Sequence, residues 1–162
     1  EALPTSIGGC APLQKLMLAT LPRIAPNLRV NNGLKAHYLS HNPDVVEAYL
    51  NDPLVHRKIS ARLALYIAQA GKVVKAAAPH WKLPTLLMYA GADRLVSPMG
   101  SEQFARQASK AVTAQCFKHL YHEIFNEPDS EMVLDLLEGW LDERTGGRES
   151  AHFAGSIRSQ PP

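Results

Sequence analysis

The run of residues 83–128 constrains the fold more than any other part of the sequence. Its first part, residues 85–90, is almost wholly apolar, follows Pro84 and is closed by Gly91. A short apolar run with such boundaries predicts a strand buried on both faces of a parallel sheet. We therefore expect Asp93 to lie just past the carboxyl end of a strand.

A helix and a second strand are predicted directly after this strand. Ser97 followed by proline is a helix-start signal, and apolar residues then recur at helical spacing over residues 98–110. Residues 114–120 fit the second strand. Strand, helix and strand make a βαβ unit, and ligands bind outside the carboxyl ends of its strands. Because Asp93 and His122 both follow strands, both are expected at that edge.

Two motifs and a helix resemble the α/β-hydrolase family, specifically its monoacylglycerol lipase and lysophospholipase branch. The motifs are GADRLVSP from residue 91 and YHEIFNEP from residue 121, and a C-terminal amphipathic helix follows them. The resemblance implies a Ser-Asp-His triad with Asp93 as the acid and His122 as the base. A hydroxyl is a weak nucleophile, so it needs an imidazole to take its proton and a carboxylate to orient that imidazole. In this family the serine precedes the acid along the chain.

The sequence before Asp93 contains no G-x-S-x-G nucleophile elbow. Its serines, Ser6, Ser40 and Ser60, stand in TSIGG, YLSHN and KISAR, and none has glycine two positions away on both sides. The oxyanion donors that the family takes from the elbow and an earlier loop are missing as well. Because the chain also begins at Glu1 without methionine, we interpret it as the carboxyl-terminal part of a hydrolase. The alternative is a relative that does not hydrolyse anything.

Length and composition indicate one domain or part of one. The 162 residues are 46% hydrophobic, which is typical of globular proteins. A formal charge of +2 with dispersed basic residues gives no attraction to nucleic acid or to an anionic membrane surface. Cys10 and Cys116 can form at most one bridge, and two free thiols are the simpler interpretation.

No segment has the form of a membrane span or of a secretory signal. No apolar run reaches about 18 residues, and no charged-then-apolar segment opens the chain. The default compartment is therefore the cytoplasm, although any amino-terminal signal would be missing from a partial sequence.

The resemblance implies that residues 1–80 form loops and a helical cap, or lid, and that residues 81–145 form the βαβα part of the hydrolase core. In the cap we expect a short apolar helix over residues 14–21 that Pro22 stops, because its leucines follow a helical period. Residues 26–37 are expected to be irregular, with a turn at the Asn-Asn-Gly run.

Two further cap helices are predicted. The first starts at Asn42, which precedes a proline, and ends at Asp52 and Pro53. One stripe of apolar side chains along this helix is expected to be buried. Its stripe consists of Val45, Val46, Tyr49 and Leu50. The second fits the alanine-rich residues 61–78, although Gly71 weakens its middle.

The last helix is predicted after Pro128, with acidic residues in its first turn and a glycine pair from Gly146 at its end. Its apolar residues repeat at helical spacing and predict one face packed on the sheet: Met132, Val133, Leu136, Leu137, Trp140 and Leu141. Residues 146–162 contain almost no apolar side chains and are predicted to be a disordered tail.

Two histidine groups have spacings that could suit zinc, but neither is favoured. His37 and His41 precede Asp44 at a spacing that could suit zinc. However, the predicted helix starts at Pro43, so one helix cannot hold all three side chains. His119 and His122 straddle a strand end, where alternate residues face opposite ways. We expect neither a metal nor a cofactor.

Two functions from different classes remain open. The first is a serine hydrolase of carboxylic esters acting on a small-molecule lipid or ester, with esterase and peptidase chemistry as variants within the class. The second is a non-catalytic binding or interaction protein with the same architecture. The elbow is expected upstream of Glu1 under the first interpretation and is absent from the gene under the second.

Overall fold

The computed structural model of the protein describes residues 20–146. In chain order its strands are β1 (Arg29–Asn31), β2 (Lys58–Ser60), β3 (Thr85–Ala90) and β4 (Val112–Phe117). Its α-helices are α1 (Pro43–Asn51), α2 (Ala61–Ala77), α3 (Met99–Gln107) and α4 (Glu131–Thr145). Single turns of 3-10 helix occupy Ala36–Tyr38, Ala78–His80 and Ile124–Asn126.

The predicted strand–helix–strand unit is present. β3 and β4 pair in parallel, from Thr85 opposite Val112 to Ala90 opposite Phe117, and α3 between them contacts both strands. β3 has the bounds that the sequence predicts. β4 begins and ends earlier than predicted, because its pairing follows the six residues of β3.

α3 also ends earlier than predicted, at Gln107. Ala108 already has extended backbone angles, with φ −65° and ψ 151°. The Ser109 hydroxyl donates to the Trp81 carbonyl and accepts from the Ala111 N–H. These contacts outside the helix hold the chain in its turn toward β4.

The prediction that β3 is buried on both faces is wrong for the described residues. Ala90 is buried, but Thr85–Tyr89 are only half-buried. The physical reason is that, within residues 20–146, β3 has β4 on one edge and α3 as the main helix against it, so its two faces are covered only in part.

The core lies between the ends of the strands and α4. Val133 is fully buried, which contributes about 1.5–3 kcal/mol for a side chain of this type. The cluster around it consists of Ala90, Phe117, Leu120 and Ile124, with Met88 and Leu136 packed against it. The predicted buried face of α4 is therefore present, although Met132 and Leu141 remain exposed. Gly146 ends the helix in the left-handed conformation, with φ 74°.

α1 begins and ends where the sequence predicts. The Asn42 side chain accepts from the Asp44 N–H at 3.0 Å and caps its first turn. At the other end, the Asp52 carboxylate accepts from the Leu54 N–H at 2.8 Å, directly after the last helical residue. The predicted stripe is only half-buried, and its Leu50 is 48% exposed.

α2 also matches its prediction, with Ser60 as the N-cap accepting from the Leu63 N–H. The expectation that residues 26–37 are wholly irregular is wrong. β1 pairs antiparallel with β2, and a 3-10 turn begins at Ala36. The predicted turn is present, and Gly33 adopts φ 69°. The strand was missed because all three of its residues are exposed and show no alternation.

The expectation that Pro22 stops the first helix is also wrong. Residues 20–24 are helical, and the Ala25 N–H donates to the Leu21 carbonyl at 2.8 Å. The hydrogen bonds that later residues donate do not involve the missing N–H of proline, so they still form after it. Residues 14–19 of that predicted helix, Cys10 and the predicted tail beyond Gly146 lie outside the described residues.

Within residues 20–146, no helix is long and apolar enough to cross a membrane.

Candidate active site

The carboxyl ends of β3 and β4 lie against each other at Gly91. The Gly91 N–H donates to the Phe117 carbonyl at 2.8 Å, and the Ala92 N–H donates to the Leu120 carbonyl at 3.2 Å. A β-carbon built on Gly91 would lie 2.7 Å from the Lys118 Cα. Only glycine therefore fits here without a shift of the backbone. The close approach brings the loop after β3 alongside the loop after β4.

Asp93 lies in the first of these loops with both carboxylate oxygens engaged. Oδ1 accepts from the Leu95 and Val96 N–H groups at 2.7 and 2.9 Å. Oδ2 lies 2.8 Å from Nδ1 of His122. The Asp93 side chain is only 11% exposed, so the carboxylate is held by its own turn and directed at the imidazole.

His122 lies in the second loop, and its side chain is 37% exposed. With the carboxylate accepting from Nδ1–H, the neutral ring carries its lone pair on Nε2. This tautomer is the one that takes a proton from a hydroxyl in general-base catalysis. The structure thus brings together the two residues that the sequence singled out.

The loop that carries His122, residues 121–127, is held by a distant segment, residues 38–41. The His122 N–H points to the Tyr38 carbonyl at 3.5 Å, and the Glu123 N–H donates to the Leu39 carbonyl at 2.8 Å. The Ser40 hydroxyl donates to the Asn126 carbonyl at 2.9 Å. Leu39 and Ser40 are buried, so this contact is part of the interior.

Glu127 is the buried carboxylate of this contact. Its side chain is 1% exposed. Oε1 accepts from the Tyr121 N–H at 2.8 Å, and Oε2 lies 2.9 Å from Nδ1 of His41. The His41 N–H points to both oxygens, at 3.4 and 3.3 Å. A second histidine–carboxylate pair therefore lies beside the first.

Aromatic rings and one guanidinium border the two loops. The His41 ring stacks on Tyr121, with centroids 3.6 Å apart and an interplanar angle of 25°. Tyr38 meets Tyr121 edge-on at 6.1 Å. Arg94 lies 5.0 Å from the centroid of the Tyr38 ring. The hydrogen bond from Arg94 to the Tyr38 hydroxyl raises the pKa of the guanidinium, which remains charged beside Asp93.

The histidines that suggested zinc make other contacts. His41 pairs with Glu127, His37 packs against the Tyr38 ring at 4.0 Å, and His122 pairs with Asp93. Among the residues the structure describes, no group of three or more His, Cys, Asp or Glu side chains could hold a metal ion.

Sequence reasoning missed two contacts of this loop, Glu127 with His41 and Ser40 with Asn126. Glu127 lies in the YHEIFNEP motif, but the motif alone does not reveal that its carboxylate is buried. The partners are separated by 86 positions, and no local periodicity connects them.

Comparison with known proteins decides the family. A family model described as serine aminopeptidase, S33, matches residues 3–129. The chain belongs to this α/β-hydrolase family. The resemblance predicted from the two motifs and the final helix is therefore confirmed.

The curated relatives of this α/β-hydrolase chain include lipases. It is 35% identical over 135 residues to a monoacylglycerol lipase of Mycolicibacterium smegmatis, covering 82% of the chain and 48% of that protein. It is 37% identical over 125 residues to a phospholipase of Bacillus subtilis, covering 74% of the chain and 47% of that protein. The chain thus spans about half the length of these relatives.

Solved structures confirm the predicted fold, a partial α/β-hydrolase with helices added to a parallel sheet. The crystal structure of Paleococcus ferrophilus monoacylglycerol lipase matches with a TM-score of 0.75 and 33% identity, covering 82% of this chain and 53% of that one. A monoglyceride lipase from Saccharomyces cerevisiae matches with a TM-score of 0.68 over 82% of this chain and 49% of that one. At 22% identity, the second match supports the fold alone.

Proposed function

We propose that the complete protein is a carboxylic-ester hydrolase of the monoacylglycerol lipase or lysophospholipase type. Its triad would consist of a serine upstream of this chain, Asp93 as the acid and His122 as the base. The observation that supports this proposal most is the 2.8 Å contact between Nδ1 of His122 and Oδ2 of Asp93. The contact lies where two parallel strands end, which is where α/β sheets bind their ligands.

The reaction follows from the roles of the two side chains. Nε2 of His122 takes the proton of the serine hydroxyl as the oxygen attacks the ester carbonyl, and Asp93 stabilises the imidazolium that forms. His122 then gives the proton to the leaving alcohol, which leaves an acyl-serine. A water molecule, deprotonated by the same imidazole, attacks the acyl-serine and releases the carboxylic acid. This sequence requires no cofactor.

The proposed substrate is a lipid with a carboxylic ester. The relatives named above carry the names monoacylglycerol lipase and phospholipase, and these names point to acyl esters as the bond that is cleaved. The family description also includes aminopeptidases, which keeps amide cleavage as a variant of the same acyl-transfer chemistry.

A non-catalytic binding protein is the second candidate. Residues 1–92 contain no G-x-S-x-G motif, which fits this candidate as well as a hydrolase whose elbow lies upstream. The coding sequence upstream of Glu1 separates the two candidates, because the hydrolase requires an elbow there and the binding protein does not.

The test uses the full-length product of the gene, assayed with a short-chain aryl ester and labelled with a fluorophosphonate probe. Wild-type protein is expected to turn over the ester and to label at an upstream serine. His122→Ala is expected to abolish turnover. His119→Ala is the matched control, because His119 is an exposed histidine three positions earlier. Near-normal turnover by the His122→Ala protein would show that the base is misassigned.

A further inference from the structure

Three successive backbone N–H groups at His122 are each held by an acceptor. The Tyr121 N–H donates to Glu127, the His122 N–H points to the Tyr38 carbonyl, and the Glu123 N–H donates to the Leu39 carbonyl. The backbone on both sides of His122 is therefore constrained by contacts outside the histidine itself.

These contacts converge on Glu127. It holds the Tyr121 N–H directly, and through His41 it holds the segment of residues 38–41 that supplies the other two acceptors. Its oxygens also face the His41 N–H. One carboxylate therefore joins two parts of the chain that lie 86 positions apart.

The chemistry of Glu127 suits this position. Its side chain is almost completely buried, and a carboxylate is tolerated there only if hydrogen bonds satisfy its lone pairs. The Tyr121 and His41 backbone N–H groups can only donate, and the His41 ring donates from Nδ1 in the tautomer that suits a carboxylate. Two acceptor oxygens thus match these surroundings, whereas an amide would bring an N–H₂ group against donors.

We propose that Glu127 is a positioning residue for His122. Through Tyr121 and His41 it fixes the loop that directs the His122 imidazole at Asp93. The inference rests on the proposed role of His122 as the base, and adds a residue that touches neither substrate nor reacting atoms. Stacking of the His41 ring on Tyr121, 3.6 Å between centroids, strengthens the same connection.

Small displacements at this point have large kinetic effects. His122 meets Asp93 through a single 2.8 Å contact, and a shift of about 1 Å in a catalytic group can cost about 100-fold in rate. We therefore expect Glu127→Gln to lower kcat by about 10- to 100-fold with little change in KM. The substitution preserves the side chain's shape and removes one of its two acceptor oxygens.

The experiment compares Glu127→Gln with Glu138→Gln in the full-length protein. Glu138 is the matched control, because it is an exposed glutamate on α4, outside the loop that carries His122. kcat and KM are measured with an aryl ester. In parallel, proton NMR follows the downfield Nδ1–H resonance shared by His122 and Asp93, assigned by its loss in His122→Ala.

The expected result is a fall in kcat and a broadened or lost Nδ1–H resonance for Glu127→Gln, with both unchanged for Glu138→Gln. A folded Glu127→Gln protein with normal kcat and an unchanged resonance would overturn the inference. If Glu127→Gln does not fold, His41→Phe tests the inference instead, because it keeps an aromatic ring on Tyr121 and removes the ring donor to Glu127. The same fall in kcat and the same loss of the Nδ1–H resonance are expected for it. The NMR measurement needs no turnover, so it separates failure of this inference from failure of the proposed hydrolase activity.

Discussion

A β-carbon on Gly91 would come within 2.7 Å of the Lys118 Cα, closer than any two such atoms pack without a backbone shift. This single approach joins the ends of the two parallel strands, and the loops carrying Asp93 and His122 begin immediately beyond it. The geometry of the Asp93–His122 pair therefore depends on the absence of a side chain at a position outside the pair.

Gly91→Ala is expected to destabilise the full-length protein by about 1–3 kcal/mol, because overpacking against backbone forces neighbouring strands apart. Gly71→Ala is the control: nothing lies within 4 Å of its built β-carbon, and it lies inside α2. There alanine is expected to stabilise by about 1 kcal/mol through helix propensity. Chemical denaturation measures both changes. Equal stabilities for the two variants would contradict the close approach.

Asp93→Asn is expected to lower kcat of the complete enzyme by about 10,000-fold, the magnitude seen when a triad carboxylate becomes an amide. The asparagine oxygen can still accept from the Leu95 and Val96 N–H groups, so the turn is preserved. Its amide N–H₂ would donate to Nδ1 of His122 and favour the wrong tautomer. Steady-state kinetics with an aryl ester provide the measurement, with the exposed Asp129→Asn as control. A loss of less than tenfold would remove Asp93 from the triad.

The 162-residue chain by itself is expected to hydrolyse no ester and to remain unlabelled by a fluorophosphonate probe. The reason is chemical: in the proposed mechanism His122 and Asp93 activate a serine hydroxyl, and the chain has no serine in an elbow that precedes them. In-gel fluorescence after labelling checks the prediction. Strong labelling of this chain would mean that the nucleophile lies inside it.

The same chain, expressed alone, is expected to associate or to be poorly soluble. Among residues 20–146, β3 and β4 pair only with each other, so each strand retains one edge without a strand partner. Unpaired edges are templates for association with other chains. Exposed apolar side chains add to this tendency, for example Val73 at 69% and Leu83 at 67%. Analytical ultracentrifugation tests the prediction, and a monomer with a sharp cooperative melt would contradict it.

Local signals explain why much of this fold was predictable. The apolar run before Gly91, the Asn42 N-cap and the alanine-rich α2 each carry their information within a few residues. The meeting of Asp93 with His122 needed one further rule, that parallel strands present their carboxyl ends at a common edge.

The features that escaped prediction depend on distant contacts. All three residues of β1 are exposed, and the strand forms because it pairs with β2. The nearest pair in this register, Asn31 with Lys58, is already 27 positions apart along the chain. The end of α3 is set by the bond of Ser109 to Trp81. The buried role of Glu127 likewise follows from a partner segment that no pattern in its own neighbourhood identifies.

The segment formed by α1, β2 and α2 is fixed to the rest of the structure at both of its ends. It departs just after Ser40, which is bound to Asn126, and it returns at Ala78, which is completely buried and accepts from the Ser109 N–H at 3.1 Å. A change in the length of the segment between these anchors would therefore leave the His122 imidazole and the Asp93 carboxylate in place. Under the proposed function, substrate preference would then change through this segment alone, with the geometry of proton transfer preserved.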